Sequence, residues 1–186
     1  FDLQCLPAKW HNTPDRIVPA LREKIREAKP RYQSIFVLYG DCGTGGALDS
    51  LLERYPHAVR IEGPHCYEFY GGKAFDEHNE AYLGTFYLTD FLARHFDGLV
   101  WKGLGLDRFP QLLEMYFGNY THLMYMQQSP EQDQSENAKR AAQKLGLEYI
   151  QINTGLDVLE QRLIAIVERF QKNEKNTAAE DTDKTL

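Results

Sequence analysis

Ser34-Ile-Phe-Val-Leu-Tyr39, followed at once by Gly40-Asp-Cys-Gly-Thr-Gly-Gly46, is the stretch on which the fold turns. A continuous apolar run rich in β-branched and aromatic residues is what a strand buried on both faces requires, and such strands belong to parallel sheets. The glycines that follow let the chain turn sharply, and Ala47–Tyr55 reads as the helix the turn leads into. Upstream, Pro14–Ala28 reads as a helix, with Ile17, Leu21, Ile25 and Ala28 three and four residues apart, Thr13 as its N-cap and Pro14 in its first turn.

The same alternation continues outward. His57–Ile61 reads as a strand followed by a second loop, Glu62–Cys66. The last third gives strand His122–Gln127, helix Glu131–Leu145 ending at Gly146, strand Glu148–Ile152 and helix Leu156–Phe170. Between them lies an aromatic-rich middle, Tyr67–Tyr120, with a short strand at Thr85–Leu88 and helices at Phe91–Phe96 and Asp107–Tyr116. The expected fold is α/β: a Rossmann-like parallel sheet with helices on both faces and an irregular middle, one domain over residues 1–170. Phe1–Cys5 reads as a strand entered part-way, which implies native residues upstream, and 171–186 as a disordered polar tail.

Composition narrows the function classes. A net charge of −6 and a pI near 5.5 do not suit general nucleic-acid binding, which needs a basic surface. No apolar run approaches the roughly 20 residues of a membrane span, and the start lacks a signal-peptide pattern. Three cysteines without a CxxC spacing describe neither a disulfide scaffold nor a zinc ribbon nor a thioredoxin motif. A cytoplasmic protein with reduced thiols and a small-molecule substrate is expected.

In open parallel sheets ligands sit outside the carboxyl ends of the strands. Three loops fall there. The first, Tyr39–Gly46, carries Cys42 among glycines and before a helix amino terminus, where a thiol's pKa is lowered and an anion is attracted. Gly40, Gly43, Thr44, Gly45 and Gly46 are the candidate cofactor-binding cradle. A tight turn holding a small buried cysteine is the alternative. The second, Gly63-Pro-His-Cys-Tyr-Glu68, offers His65 and Cys66. Two sulfurs and an imidazole suit zinc, with iron as an alternative, so Cys42, His65 and Cys66 are the candidate metal ligands. The third, Leu6–Pro14, brings His11 and Asn12 to the same rim. His11 and Glu68 are the candidate acid or base groups. Cys5 is expected in the core. Tyr116, Asn119 and Tyr120 read as packing and a turn, and His57, His78, His95 and His122 as structural.

His11-Asn-Thr-Pro14, Tyr39–Gly46, Pro64-His-Cys66 and Gly84-Thr-Phe-Tyr-Leu88, in that order, resemble the domain-of-unknown-function family DUF1638 over about Asp2 to Phe170. The resemblance implies an additional leading strand and a loop that often holds a further cysteine, hence an upstream ligand. Some members carry His-Asp-Cys where this chain has His65-Cys66. The genomic setting of some members implies corrinoid-linked methyl transfer or one-carbon metabolism, with a corrinoid-bearing protein as partner.

Four functions stay open: a metal centre, a metal-free acid/base thiol pair resembling that of amino-acid racemases, an anion-binding module, and a scaffold whose aromatic middle forms a homo-oligomer interface.

Overall fold

The computed structural model describes residues 2–63, 65–81 and 83–183, excepting the side chains of 73–74, 78–81 and 173–183, among them that of His78. Among the described residues five strands form, all in parallel pairs. β1 (Ile35–Val37) pairs with β2 (Ala58–Arg60); β3 (Thr85–Thr89), β4 (His122–Gln127) and β5 (Glu148–Asn153) form a second sheet in that order. The expected parallel α/β fold is therefore present, with its strands hydrogen-bonded in two groups.

Helices cover the first group through α1 (Ile17–Ala28) and α2 (Ala47–Leu52), whose Ile25, Leu51 and Leu21 pack around Ala58 and Ile35. The second group is covered on both faces, and β4 explains why. Leu123 and Tyr125 point into one core with Ala93, Phe96, Phe117 and Ala141, on α4 (Asp90–Arg94), the following turn, α5 (Leu112–Phe117) and α6 (Ser135–Leu145). Met124 and Met126 point the other way, onto Tyr70 and Phe75 of α3 (Glu68–Ala81). Alternate side chains of a strand face opposite sides, so an unbroken apolar run has two covers to meet.

Thr89 and Asp90 join β3 to α4. Thr89 Oγ1 accepts from the Leu92 N–H at 3.3 Å and caps the helix. The buried Asp90 accepts from Tyr125 Oη at 2.5 Å and from the N–H groups of Gln128 and Ser129, at 3.2 and 2.9 Å. Tyr125 Oη in turn accepts from the Gln134 N–H at 2.9 Å. This network holds the carboxyl ends of β3 and β4 together.

Several expectations are corrected. Asp2–Leu6 is not a strand, since neither sheet supplies its backbone with a neighbour, and Cys5 is exposed instead of lying in the core. Phe1 lies outside the described residues. Thr13 makes no side-chain cap; a single 3-10 turn, Pro14–Arg16, leads into α1 instead. The middle contains a π-helical turn at Asp97–Trp101, and α5 starts only at Leu112, beyond Gly103, Gly105 and Pro110. The backbone of α7 (Asp157–Asp183) runs helical through 171–183. Alanine, glutamate and lysine there favour helix even without an apolar stripe. Residues 184–186 lie outside the described residues. The aromatic middle is largely core, with Phe75, Tyr87, Phe96 and Phe117 buried, although Phe91 and Tyr116 stay exposed. Among the described residues no helix is long and apolar enough to cross a membrane.

Candidate functional site

Gly40, three residues beyond the end of β1, has no side chain where one would collide. A Cβ there would lie 3.1 Å from the Cys66 backbone nitrogen and 3.3 Å from both the His65 carbonyl carbon and the Phe69 ring. This gap lets the second loop press against the first. Beyond it, Asp41 organises the turn from within. Its carboxylate accepts from the Thr44 hydroxyl and, at 2.9 and 3.1 Å, from the Gly46 N–H. Gly43, Gly45 and Gly46 all have positive φ, the left-handed conformation glycine adopts without strain.

That arrangement alters the reading of the cradle. Thr44 and Gly46 spend their donors on Asp41, so a carboxylate of the chain itself already sits where an anion was expected. Another negative charge would meet like-charge repulsion there. Gly40 serves as a contact surface, and Gly43 packs on Pro14, with a Cβ position 3.1 Å from its ring.

The second loop is fastened from two sides. Arg60, at the end of β2, donates Nε and Nη2 to the two Asp49 oxygens of α2 at 2.5 and 2.9 Å. Its Nη1 donates to the carbonyls of Ile61 and Gly63, at 2.8 and 3.1 Å. From α7, Arg162 Nη1 donates to the Glu62 carbonyl at 3.0 Å and its guanidinium lies over the Phe69 ring at 5.8 Å. Residues 65–69 then wind into α3, with Glu68 N–H on the His65 carbonyl and Phe69 N–H on that of Cys66.

These fastenings bring Cys42 and Cys66, 24 residues apart, into direct contact. Their sulfurs are 3.6 Å apart, and the Cys66 backbone N–H donates to Cys42 Sγ at 3.2 Å. No disulfide joins them. The two thiols are driven apart in acidity. Cys42 falls to about 5, because the Cys66 thiol, the Cys66 N–H and the His65 side chain stabilise its negative charge against the opposing effect of burial. Cys66 is pushed upward by the hydrogen bond to Cys42, by burial and by the Cys42 charge. Ionisation of one thiol therefore opposes ionisation of the other, and Cys42 is the one favoured to ionise first.

The remaining candidates fall around this centre at different depths. His65 is exposed and interacts with Cys42. His11 is exposed, holds Ala8 O through Nδ1 at 2.9 Å, and reaches the rim through Tyr39, whose ring centroid is 5.6 Å from its own. Tyr39 Oη donates to the Cys42 carbonyl at 2.9 Å; burial and then the two cysteines raise its pKa to about 12. Asn12 instead binds the Leu99 carbonyl at 3.0 Å. Glu68 Oε2 lies over Gly63, 3.0 Å from where its Cβ would be. Tyr120 packs on Phe86 and Phe117 before β4, at the opposite end of the sheet.

Sequence reasoning passed over Tyr39, Asp41, Arg60 and Arg162. Asp41 offered a signal, a carboxylate inside a glycine turn before a helix, which is a turn-forming pattern. Arg60 and Arg162 offered none, because their carbonyl partners are visible only in three dimensions.

Among the described residues no group of three or more His, Cys, Asp and Glu side chains is placed to hold a metal ion. No curated protein and no solved structure matches the chain. The match to the family model described as "Protein of unknown function (DUF1638)" covers residues 5–163, most of the chain, and the chain belongs to that family.

Proposed function

We propose that the protein works through a thiolate–thiol pair, with Cys42 as the nucleophile and Cys66 as the residue that keeps the proton. The observation that carries this reading is convergence on one sulfur: the Cys66 N–H donates to Cys42 Sγ at 3.2 Å, and the Cys66 sulfur lies 3.6 Å from it. A thiolate so placed at the carboxyl ends of the strands, among glycines, is open to an electrophilic small molecule. His65, Tyr39 and His11 form its rim.

The racemase-like arrangement fits less well. A carbon acid held between two thiols needs about 3.5–4.0 Å on each side, roughly twice the separation found, so substrate would have to force the sulfurs apart. Both thiols face each other, and both would act on one side of a substrate.

Alkylation of Cys42 with iodoacetamide tests the proposal. At pH 6 a thiol of pKa about 5 carries about 300-fold more thiolate than one near 8.5, offset by a roughly 40-fold lower intrinsic nucleophilicity. Cys42 should therefore react roughly tenfold faster than N-acetylcysteine, the unperturbed reference thiol, with a midpoint near 5. A rate equal to that of the reference, with a midpoint near 8.5, overturns it.

A soft-metal centre is the second reading, supported by one distance. Two sulfurs at about 2.3 Å from a tetrahedral zinc ion stand roughly 3.8 Å apart, close to the 3.6 Å here. Cys42 and Cys66 would be two ligands and His65 the neighbouring third, with remaining positions filled from outside the described residues. Zinc or iron co-purifying in stoichiometric amount, and lost in Cys42→Ser, would favour it.

A further inference from the structure

We propose that Cys42 and Cys66 form a reversible two-electron couple that exchanges with disulfide substrates, a step that rests on the thiol-pair reading above and names its substrate class. Three features of the geometry lead there. The sulfurs are already in contact at 3.6 Å, and a disulfide of about 2.05 Å requires closure by roughly 1.5 Å. The sulfurs sit in two loops, with Gly40 and Gly43 flanking the first, so the movement does not have to be borne by a strand or helix. The Cys66 N–H donates to Cys42 Sγ at 3.2 Å, a contact that stabilises that sulfur whenever Cys42 leaves as a thiolate.

Cys42 thiolate attacks one sulfur of a substrate R–S–S–R, forming a Cys42–S–S–R bond and releasing RS⁻. The Cys66 thiol gives its proton to the released thiolate, then attacks Cys42 Sγ. The Cys42–S–R bond breaks, the second RS⁻ leaves and takes a proton from water, and a Cys42–Cys66 bond forms. Two electrons pass from the protein dithiol to the substrate disulfide, and two equivalents of the thiol RSH reverse every step. A contiguous CxxC is unnecessary, because the β1–α2–β2 unit brings together thiols that are distant in sequence. Cys5 is exposed and takes no part.

The full chain carrying Cys5→Ser, incubated with excess hydroxyethyl disulfide, is the test, read by intact mass and thiol alkylation. The expected product has lost two hydrogens and both alkylatable thiols, keeps no adduct, and returns to the dithiol with dithiothreitol. Added Cys66→Ser should stop at a mixed disulfide on Cys42, and added Cys42→Ser should react at least about tenfold more slowly than its parent. If the parent instead accumulates a mixed disulfide on Cys42 with Cys66 still alkylatable, the couple is refuted while the nucleophilic thiolate stands. If Cys42 gains no adduct faster than Cys66, both readings fall. Should one serine variant fail to fold, the parent's own product decides between these outcomes.

Discussion

The backbone N–H of Cys66 and the thiol of Cys66 converge on a single atom, Cys42 Sγ, at 3.2 and 3.6 Å. Replacing Cys66 by alanine separates the two contributions, since it deletes the thiol and leaves the N–H. The midpoint of Cys42 alkylation should rise from about 5 yet stay below the unperturbed value of about 8.5. A midpoint that reaches 8.5 would mean the backbone donor and His65 do no more than offset burial.

Stability should follow pH in a way particular to this pair. Cys42 is depressed in the fold, so its contribution is full above its unfolded value of about 8.5 and is lost as pH falls through about 5. Cys66 is raised, so its contribution is present below its unfolded value and is lost as pH climbs above it. Urea unfolding of the wild type against the Cys42→Ala/Cys66→Ala double variant should give the largest difference near pH 8.5, narrowing on both sides. A difference that is flat from pH 5 to 9 would contradict the shared proton.

Gly40→Ala should cost about 1–3 kcal/mol, because the added carbon meets the backbone of residues 65 and 66, which cannot swing aside like a side-chain tip. The same push lengthens the contact to Cys42 Sγ, so the alkylation midpoint should rise as well. Thermal unfolding and the alkylation profile together check this.

Arg60 joins the helix after the first sulfur to the loop that carries the second, through a side chain only 16% exposed. Arg60→Met should lose about 1–3 kcal/mol and raise the Cys42 midpoint. Asp49→Asn should lose less, since the contacts to the Ile61 and Gly63 carbonyls survive. Equal losses would place the whole effect in the ion pair.

Tyr125→Phe is the complementary case. It leaves the buried Asp90 without its hydroxyl donor and the Gln134 N–H without its acceptor, so about 1–3 kcal/mol should be lost. Cys42 alkylation should not change, because this network belongs to the second sheet. A shifted midpoint would reveal coupling between the two halves.

How far the sequence could be read depended on whether a feature was local. His122–Gln127 was read to the residue, since a strand covered on both faces leaves an unbroken apolar run. Gly146 was read correctly as a helix end, and its φ of 71° explains the choice of glycine. The meeting of Cys42 and Cys66 followed from a topological rule, the grouping of loops at strand carboxyl ends. The rule could not say that Asp41 would occupy the cradle itself, because a carboxylate beside glycines can face inward or outward. Nor could it place Arg60 or Arg162, whose grip on the second loop is through main-chain carbonyls with no signature of their own. The Asp97–Trp101 turn was hidden for a different reason: its apolar residues match several periods at once.

Arg162 reaches back a hundred residues to hold the Glu62 carbonyl and cover Phe69. A ribosome therefore finishes both sulfur-bearing loops long before it supplies this last clasp. During that interval the nascent chain carries two thiols without their full support, and the Glu62 loop gains its clasp only once α7 has emerged and docked.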